Sequence, residues 1–144
     1  MKVIIMSGLP GSGKSRCADE MQGSKQIVSA DDFFVGRDGY VFDKTKLADA
    51  HGMCLRRFVV AVMERFDLVV VDNTNTEVVE IAPYAAIALA YGYDLEVVTV
   101  ACDPEIAFKR NVHGVPRHVF DAMVSNLKER KLLPRWPSRT IVNH

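Results

Sequence analysis

Little in this chain points to covalent cross-links, membranes or a charged surface. It has three cysteines, Cys17, Cys54 and Cys102, an odd number with no C-x-x-C spacing. That excludes a disulfide frame or a cysteine metal site and leaves three small hydrophobes in a reducing compartment. No apolar run approaches the roughly 18 residues a membrane span needs. Met1 and Lys2 run straight into an apolar stretch with no leader pattern, so a cytoplasmic location and no membrane partner are expected. Neither charge dominates, since eighteen Lys and Arg stand against eighteen Asp and Glu. Without a global field to hold nucleic acid, any polynucleotide contact must come from a local patch. Repeats, low-complexity runs and linkers are missing too, so residues 1–144 read as one domain around a single core.

What is present is an alternation of short apolar runs with helical patterns. Val3 to Met6 predict a strand apolar on both faces, followed by a helix from about Lys14 to Met21 that Gly23 stops. Gln26 to Ser29 predict a second strand. Val35 to Phe42 predict a hairpin turning at Asp38-Gly39. A long helix is expected over Asp43 to Phe66, with Asp43 as N-cap and Leu47, Ala50, Cys54, Phe58, Val62 and Phe66 along one face. Leu68 to Val71 predict another buried strand, ending at Asp72. Thr74 to Glu77 have the form of a capping box, opening a helix to about Tyr91 that Pro83 should kink or break in its first turn. Leu95 to Ala101 predict a strand, and Pro104 to Asn111 and Pro116 to Lys131 two helices. The tail reads as irregular, with a short strand over Thr140 to Val142. Such alternation means βαβ units: an α/β fold with a parallel sheet of about four or five strands flanked by helices. Ligands then bind outside the carboxyl ends of the strands.

At the first of those ends stands Gly8-Leu9-Pro10-Gly11-Ser12-Gly13-Lys14-Ser15. It fits G-x-x-x-x-G-K-[ST] without mismatch, after a strand and opening a helix, the context a P-loop requires. Glycines let successive backbone N–H groups turn inward on a polyphosphate, and the helix adds the positive end of its dipole. Lys14 is expected on the β- and γ-phosphates and the Ser15 hydroxyl on Mg²⁺. Gly8, Pro10, Gly11, Ser12 and Gly13 complete the nucleotide cradle.

The same rule gathers Asp31 and Asp32 from the second strand's end and Asp72 from the third's. Asp72 has the form of the acid that helps hold Mg²⁺; capping the following turn is the plainer alternative. An alcohol acceptor needs a carboxylate to orient it and accept its proton, which Asp31 and Asp32 can supply unless they merely decorate a turn. Lys109, Arg110 and Arg117 cluster where one helix ends and the next begins, the place for a lid over ATP spanning about 104–131. There Arg110 would act as an arginine finger in cis, or simply favour the negative end of a helix dipole. His113 by itself reads as a capping or packing histidine. Lys128, Arg130, Lys131, Arg135 and Arg139 around Trp136 read either as a solvated helix end with a tryptophan plug or as a stacking platform for a base.

With Ser29-Ala30-Asp31-Asp32-Phe33-Phe34, Val71-Asp72-Asn73-Thr74-Asn75-Thr76 and Lys109-Arg110-Asn111-Val112-His113-Gly114-Val115-Pro116 in that order after the P-loop, the chain resembles the 5′-hydroxyl polynucleotide kinase family of P-loop phosphotransferases. The likeness to the kinase-like domain within large animal ubiquitin-ligase-binding proteins is greater than to the phage-type kinase domain. It implies ATP and Mg²⁺ as cofactors, 5′-OH ends of RNA or DNA as substrate, and an RNA or DNA ligase in the same pathway. It also implies Asp31 as general base, Lys14 and Ser15 on phosphates and Mg²⁺, Arg110 on the donor phosphates, and Asp72 on the acceptor and metal side. Two positions depart from the phage-type pattern. Phe34 stands where an arginine grips the acceptor's phosphate; Phe34 could stack on a base but cannot bind phosphate, so that task would fall to Arg37 or be absent. Gly114 replaces a second lid arginine, with His113 or Arg117 as substitutes. The leading expectation is therefore an ATP- and Mg²⁺-dependent 5′-hydroxyl kinase. The alternatives are a P-loop kinase of a small alcohol (a nucleoside, a sugar or an antibiotic) and a nucleotide-gated binding module without turnover.

Overall fold

The two most apolar runs form the centre of the sheet. In the computed structural model, which describes residues 1–144, β1 (Lys2–Ser7) lies between β5 (Leu68–Asp72) and β6 (Asp94–Ala101), parallel to both. β2 (Lys25–Val28) adds outside β5 and β7 (Ser138–Val142) outside β6, giving a five-stranded parallel sheet in the order β2-β5-β1-β6-β7. Side chains of the central strands alternate between two faces, as a period of two demands. Val3, Ile5, Val69, Val71 and Val97 pack on one side with Phe58, Ile81, Tyr84 and Trp136. Ile4, Met6, Val70 and Val98 pack on the other with Ala18. Each fully buried aliphatic chain contributes about 1.5–3 kcal/mol relative to exposure.

The helices are α1 (Lys14–Glu20), α2 (Leu47–Met63), α3 (Val78–Ala90), α4 (Pro104–Lys109) and α5 (Arg117–Glu129). A 3₁₀ turn at Ala30–Phe34 follows β2, and a two-stranded hairpin, β3 (Val35–Gly36) and β4 (Gly39–Tyr40), follows the turn. No helix is long and apolar enough to cross a membrane.

Several local expectations are corrected. The hairpin turns at Arg37-Asp38, one residue early, because Gly39 takes the left-handed position (φ 94°) just after the turn. Asp43 does cap, but it caps a 3₁₀ turn at Lys44–Lys46 by accepting from the Thr45 N–H, and the α-helix begins only at Leu47. Thr74 does not open α3. Its carbonyl accepts from the Gly8 N–H (2.9 Å), and Asn75 turns to φ 45° before the helix starts at Val78. Pro83 lies inside α3, which continues through it without the break that was one of the two expected outcomes. The tail is less irregular than expected, since β7 runs parallel to β6 from Ser138. Trp136 is 5% exposed within the core, which decides for the plug and against a stacking platform.

Candidate active site

The P-loop is held from three sides. Leu9 packs with Ala107 of α4 and Phe120 of α5, so the lid helices sit directly on it. A side chain at Gly11 (φ 82°) would collide with the Ala107 carbonyl, and one at Gly13 (φ 100°) would come within 2.5 Å of the Asn143 amide. The Asn143 Nδ2 donates to the Ser12 carbonyl (2.7 Å). Behind the loop, the Arg130 guanidinium donates to Ser7 Oγ (2.5 Å), the Asn75 carbonyl (2.7 Å) and Thr99 Oγ1 (2.8 Å), while Asn75 Nδ2 donates to the Met6 carbonyl (2.8 Å). One arginine thus ties the lid's second helix to the ends of β1 and β6.

Lys14 and Asp72 are each only 9% exposed. Burial pulls the Lys14 ammonium below its ordinary value, and the charges of Asp72 and Asp31 pull it back. Burial pushes the Asp72 carboxyl up, opposed by the hydrogen bond from Ser15 and the charge of Lys14. The Ser15 hydroxyl donates to Asp72 Oδ2 (2.7 Å), whereas Asp72 Oδ1 is buried with no hydrogen-bond partner. Buried polar oxygens are normally satisfied, so an orphaned carboxylate oxygen beside a hydroxyl is a donor set suited to a hard cation. An oxygen-only pair suits Mg²⁺, which takes a few protein oxygens and completes its shell with water and phosphate. The residues fit the ion.

Across the mouth of the loop, Asp31 sits on the 3₁₀ turn with its side chain 54% exposed. Ser29 Oγ accepts from the Asp31 N–H (3.2 Å), and Asn73 Oδ1 accepts from the Ala30 N–H (2.9 Å). The turn is therefore pinned to the residue after Asp72. The Tyr40 hydroxyl donates to Asp31 Oδ1 at 3.4 Å, and His113 Nε2 stands 3.6 Å from Oδ2. Asp32 points elsewhere, to Arg57 of α2 (3.4 Å).

Other expected site residues fall differently. Phe34 is 6% exposed, its ring packed against Phe33, Tyr40 and Phe42. It serves the core and cannot stack on an acceptor base; of that cluster Phe42 is the exposed ring. Arg117 spends its guanidinium on Glu105 and Asp121 and lies over the Phe108 ring, so it braces the lid and is not turned to phosphate. Arg37 lies in the hairpin turn, exposed and without an ion-pair partner. Arg110 ends α4, its guanidinium 3.4 Å from the His144 carbonyl. His144 also lines a cavity of about 290 Å³, together with Cys102, Asp103, Ile106, Val142 and Asn143. The motif search missed Tyr40, Asn73, Asn75, Arg57, Arg130 and Asn143. Tyr40 and the two asparagines lie inside segments already singled out; nothing local marks Arg130, which is 123 residues from Ser7.

Comparison with known proteins agrees with this architecture. The family described as an AAA domain, AAA_33, matches residues 3–130. Human NEDD4-binding protein 2 is 30% identical over 141 residues, covering 92% of this chain; the chain spans only 8% of that protein's length. The Pnkp1/Rnl/Hen1 RNA repair complex contains a chain with a TM-score of 0.71 at 19% identity, over 88% of this chain and 44% of that one. A sugar kinase from Janibacter sp. HTCC2649 has a TM-score of 0.60 at 12% identity, over 99% and 85%. At those identities the structures speak for the fold alone, and the fold they share is that of P-loop kinases. A P-loop on β1, a parallel sheet in this order and a helical lid seated on the loop thus accompany the family match, and the chain belongs to the AAA_33 family of AAA domains.

Proposed function

We propose that this domain is an Mg²⁺- and ATP-dependent kinase that phosphorylates the 5′-hydroxyl of RNA or DNA. The observation that carries the reading is the meeting of a buried anion cradle with an exposed carboxylate at one sheet edge. Lys14 feels the charge of both Asp72 and Asp31. The loop amides and Lys14 bind the β- and γ-phosphates, and the cavity bordered by Cys102, Ile106 and Asn143 takes the adenine. Ser15 and Asp72 would hold Mg²⁺, which when bound neutralises charge on those phosphates. Asp31 orients the acceptor hydroxyl. As that oxygen bonds to the γ-phosphorus and ADP leaves, Asp31 takes the hydroxyl proton. Arg110, swung from the His144 carbonyl, and Lys14 neutralise the transferring phosphoryl. The lid seated on Leu9 excludes water from this step. An RNA or DNA ligase consuming the 5′-phosphate would act next, in keeping with the neighbour from an RNA repair complex.

A second reading, a kinase of a small alcohol, is favoured by one pair of observations. Net charge is zero, and Phe34, where the phage-type pattern has its acceptor arginine, is buried. The test is transfer of label from γ-labelled ATP with Mg²⁺ to a 5′-OH oligonucleotide, with the 5′-phosphorylated oligonucleotide as blank and Asp31→Ala alongside. Label on the 5′-OH oligomer only, slowed about 10²-fold or more in the variant, is the expected result. A steep rise of KM for the oligonucleotide with salt should accompany it. ATP binding with no label on the oligomer would turn the reading to small alcohols.

A further inference from the structure

We propose that His113 is a positioning residue for Asp31, so that the lid which closes over the donor also sets the acceptor's base. The inference rests on the kinase reading above, in which Asp31 takes the proton.

Two aromatic donors from separate elements meet this carboxylate. Tyr40, on β4, donates its hydroxyl to Oδ1 at 3.4 Å, and His113, in the loop between α4 and α5, brings Nε2 to 3.6 Å from Oδ2. The two rings also touch, with centroids 4.4 Å apart and planes inclined at 48°. His113 is not carried on a frayed end. Asn111 Nδ2 donates to the Val115 carbonyl (3.0 Å), closing the loop on itself, and Gly114 supplies the left-handed turn (φ 68°) that follows the histidine. Burial, helped by the charge of Asp31 and the hydrogen bond to it, pushes the Tyr40 phenol up to about 12, so it remains a donor at neutral pH. His113 donates from Nε2 either as the neutral Nε2–H tautomer or as imidazolium.

The Tyr40 hydrogen bond is long and the His113 contact lies just beyond hydrogen-bond reach, and contacts of this kind tighten when a substrate complex closes. Asp31 needs such help because its side chain is half exposed and the hairpin beside it is only two residues per strand. An unheld carboxylate would spread over several rotamers, and a base displaced by about 1 Å can lose up to 10² in rate. His113 is three residues from Arg110 on the same loop. One movement therefore delivers a cation to the donor and a hydrogen-bond donor to the base. The expectation that His113 replaces a phosphate-binding arginine gives way to a role on the acceptor side.

The experiment measures kcat and both KM values, with labelled ATP and a 5′-OH oligonucleotide, in wild type, His113→Ala and His113→Gln, each checked for an unchanged cooperative melt. His113→Ala should lower kcat about 10- to 100-fold and leave KM for ATP within about twofold. His113→Gln, which keeps an N–H near the Nε2 position, should restore most of the loss. A raised KM for ATP at unchanged kcat would put the imidazole on the donor phosphates and overturn the proposal, as would a glutamine variant no better than alanine. Should wild type not label the oligonucleotide at all, the acceptor reading fails while this inference is still decided by NMR of the nucleotide-free protein. The His113 ring signals should shift in Asp31→Asn and lose a ring-current contribution in Tyr40→Leu; signals unmoved in both overturn it.

Discussion

The two halves of the candidate site are built to different standards. On the donor side Ser12, Lys14 and Asp72 are buried, and the P-loop is fixed by α4, by Asn143 and by the Arg130 network, with most of those bonds at 2.5–2.9 Å. On the acceptor side Asp31 and His113 are 54% and 39% exposed, and the contacts among Asp31, Tyr40 and His113 run from 3.4 to 3.6 Å. Phosphate carries the same charge in every ATP, so its cradle gains from rigidity before binding. An acceptor must enter, be aligned and leave, which needs an exposed base and a partner that arrives with the lid.

The contrast is tested hardest at Lys14. Lys14→Ala removes a buried ammonium that in the proposed kinase binds the phosphates, and kcat/KM for ATP should fall about 10³-fold, with ATP–Mg²⁺ affinity falling too in calorimetric titration. Asp31→Ala should leave that affinity almost intact. Equal loss of ATP binding in both variants would mean that the two sides are not separate.

Arg130 tests whether donor rigidity is imposed from behind the loop. Arg130→Met leaves Ser7 Oγ and Thr99 Oγ1 without the guanidinium that donates to them, and leaves the Asn75 carbonyl with the Ser7 hydroxyl as its remaining donor. Unfolding in urea should show a loss of roughly 2–3 kcal/mol, partly restored in Arg130→Lys. KM for ATP should rise more than KM for the acceptor, since the freed strand ends support the P-loop. The reverse order would place the network in service of the acceptor side.

The same contrast governs what the sequence made legible. The P-loop is a contiguous motif, Asp72 ends an apolar strand and Asp31 lies on the turn just after another strand, so a rule about strand ends was enough to bring them together. The strand and helix order was equally open, because each run carries its own periodicity. What tertiary contacts decide was not. Thr74-Asn75-Thr76 looked like a helix start, yet it is spent holding Met6, Ser7 and Gly8 by hydrogen bonds across 66 or more residues. Arg130 read as one more solvated cation because its acceptors come from three distant segments. Phe34 read as a substrate contact because position in a motif does not reveal which way a ring points. Its burial became visible only with Tyr40 and Phe42 folded over it.

The smallest effect is expected far from the site, where it checks that the rigidity is local to the carboxyl edge. Near the amino ends of the strands Glu96 Oε1 accepts from Lys2 Nζ (3.2 Å) and Arg139 Nε (3.1 Å), clasping β1 to β7 across β6. Burial alone would raise the Glu96 carboxyl, but the hydrogen bonds and charges of Arg139 and Lys2 outweigh it and hold it below its ordinary value. A depressed carboxylate stabilises the fold above its unfolded value and loses that contribution as pH falls through the folded one. Glu96→Gln should therefore cost about 0.5–1 kcal/mol in urea unfolding at pH 7, and the gap from wild type should close below about pH 4. Both KM values should stay where they are, because β7 reaches the P-loop through Asn143 at its other end. A change in KM for ATP would show that the cradle draws its rigidity from the whole length of β7, and the division between a fixed donor side and an adjustable acceptor side would have to be redrawn around the sheet itself.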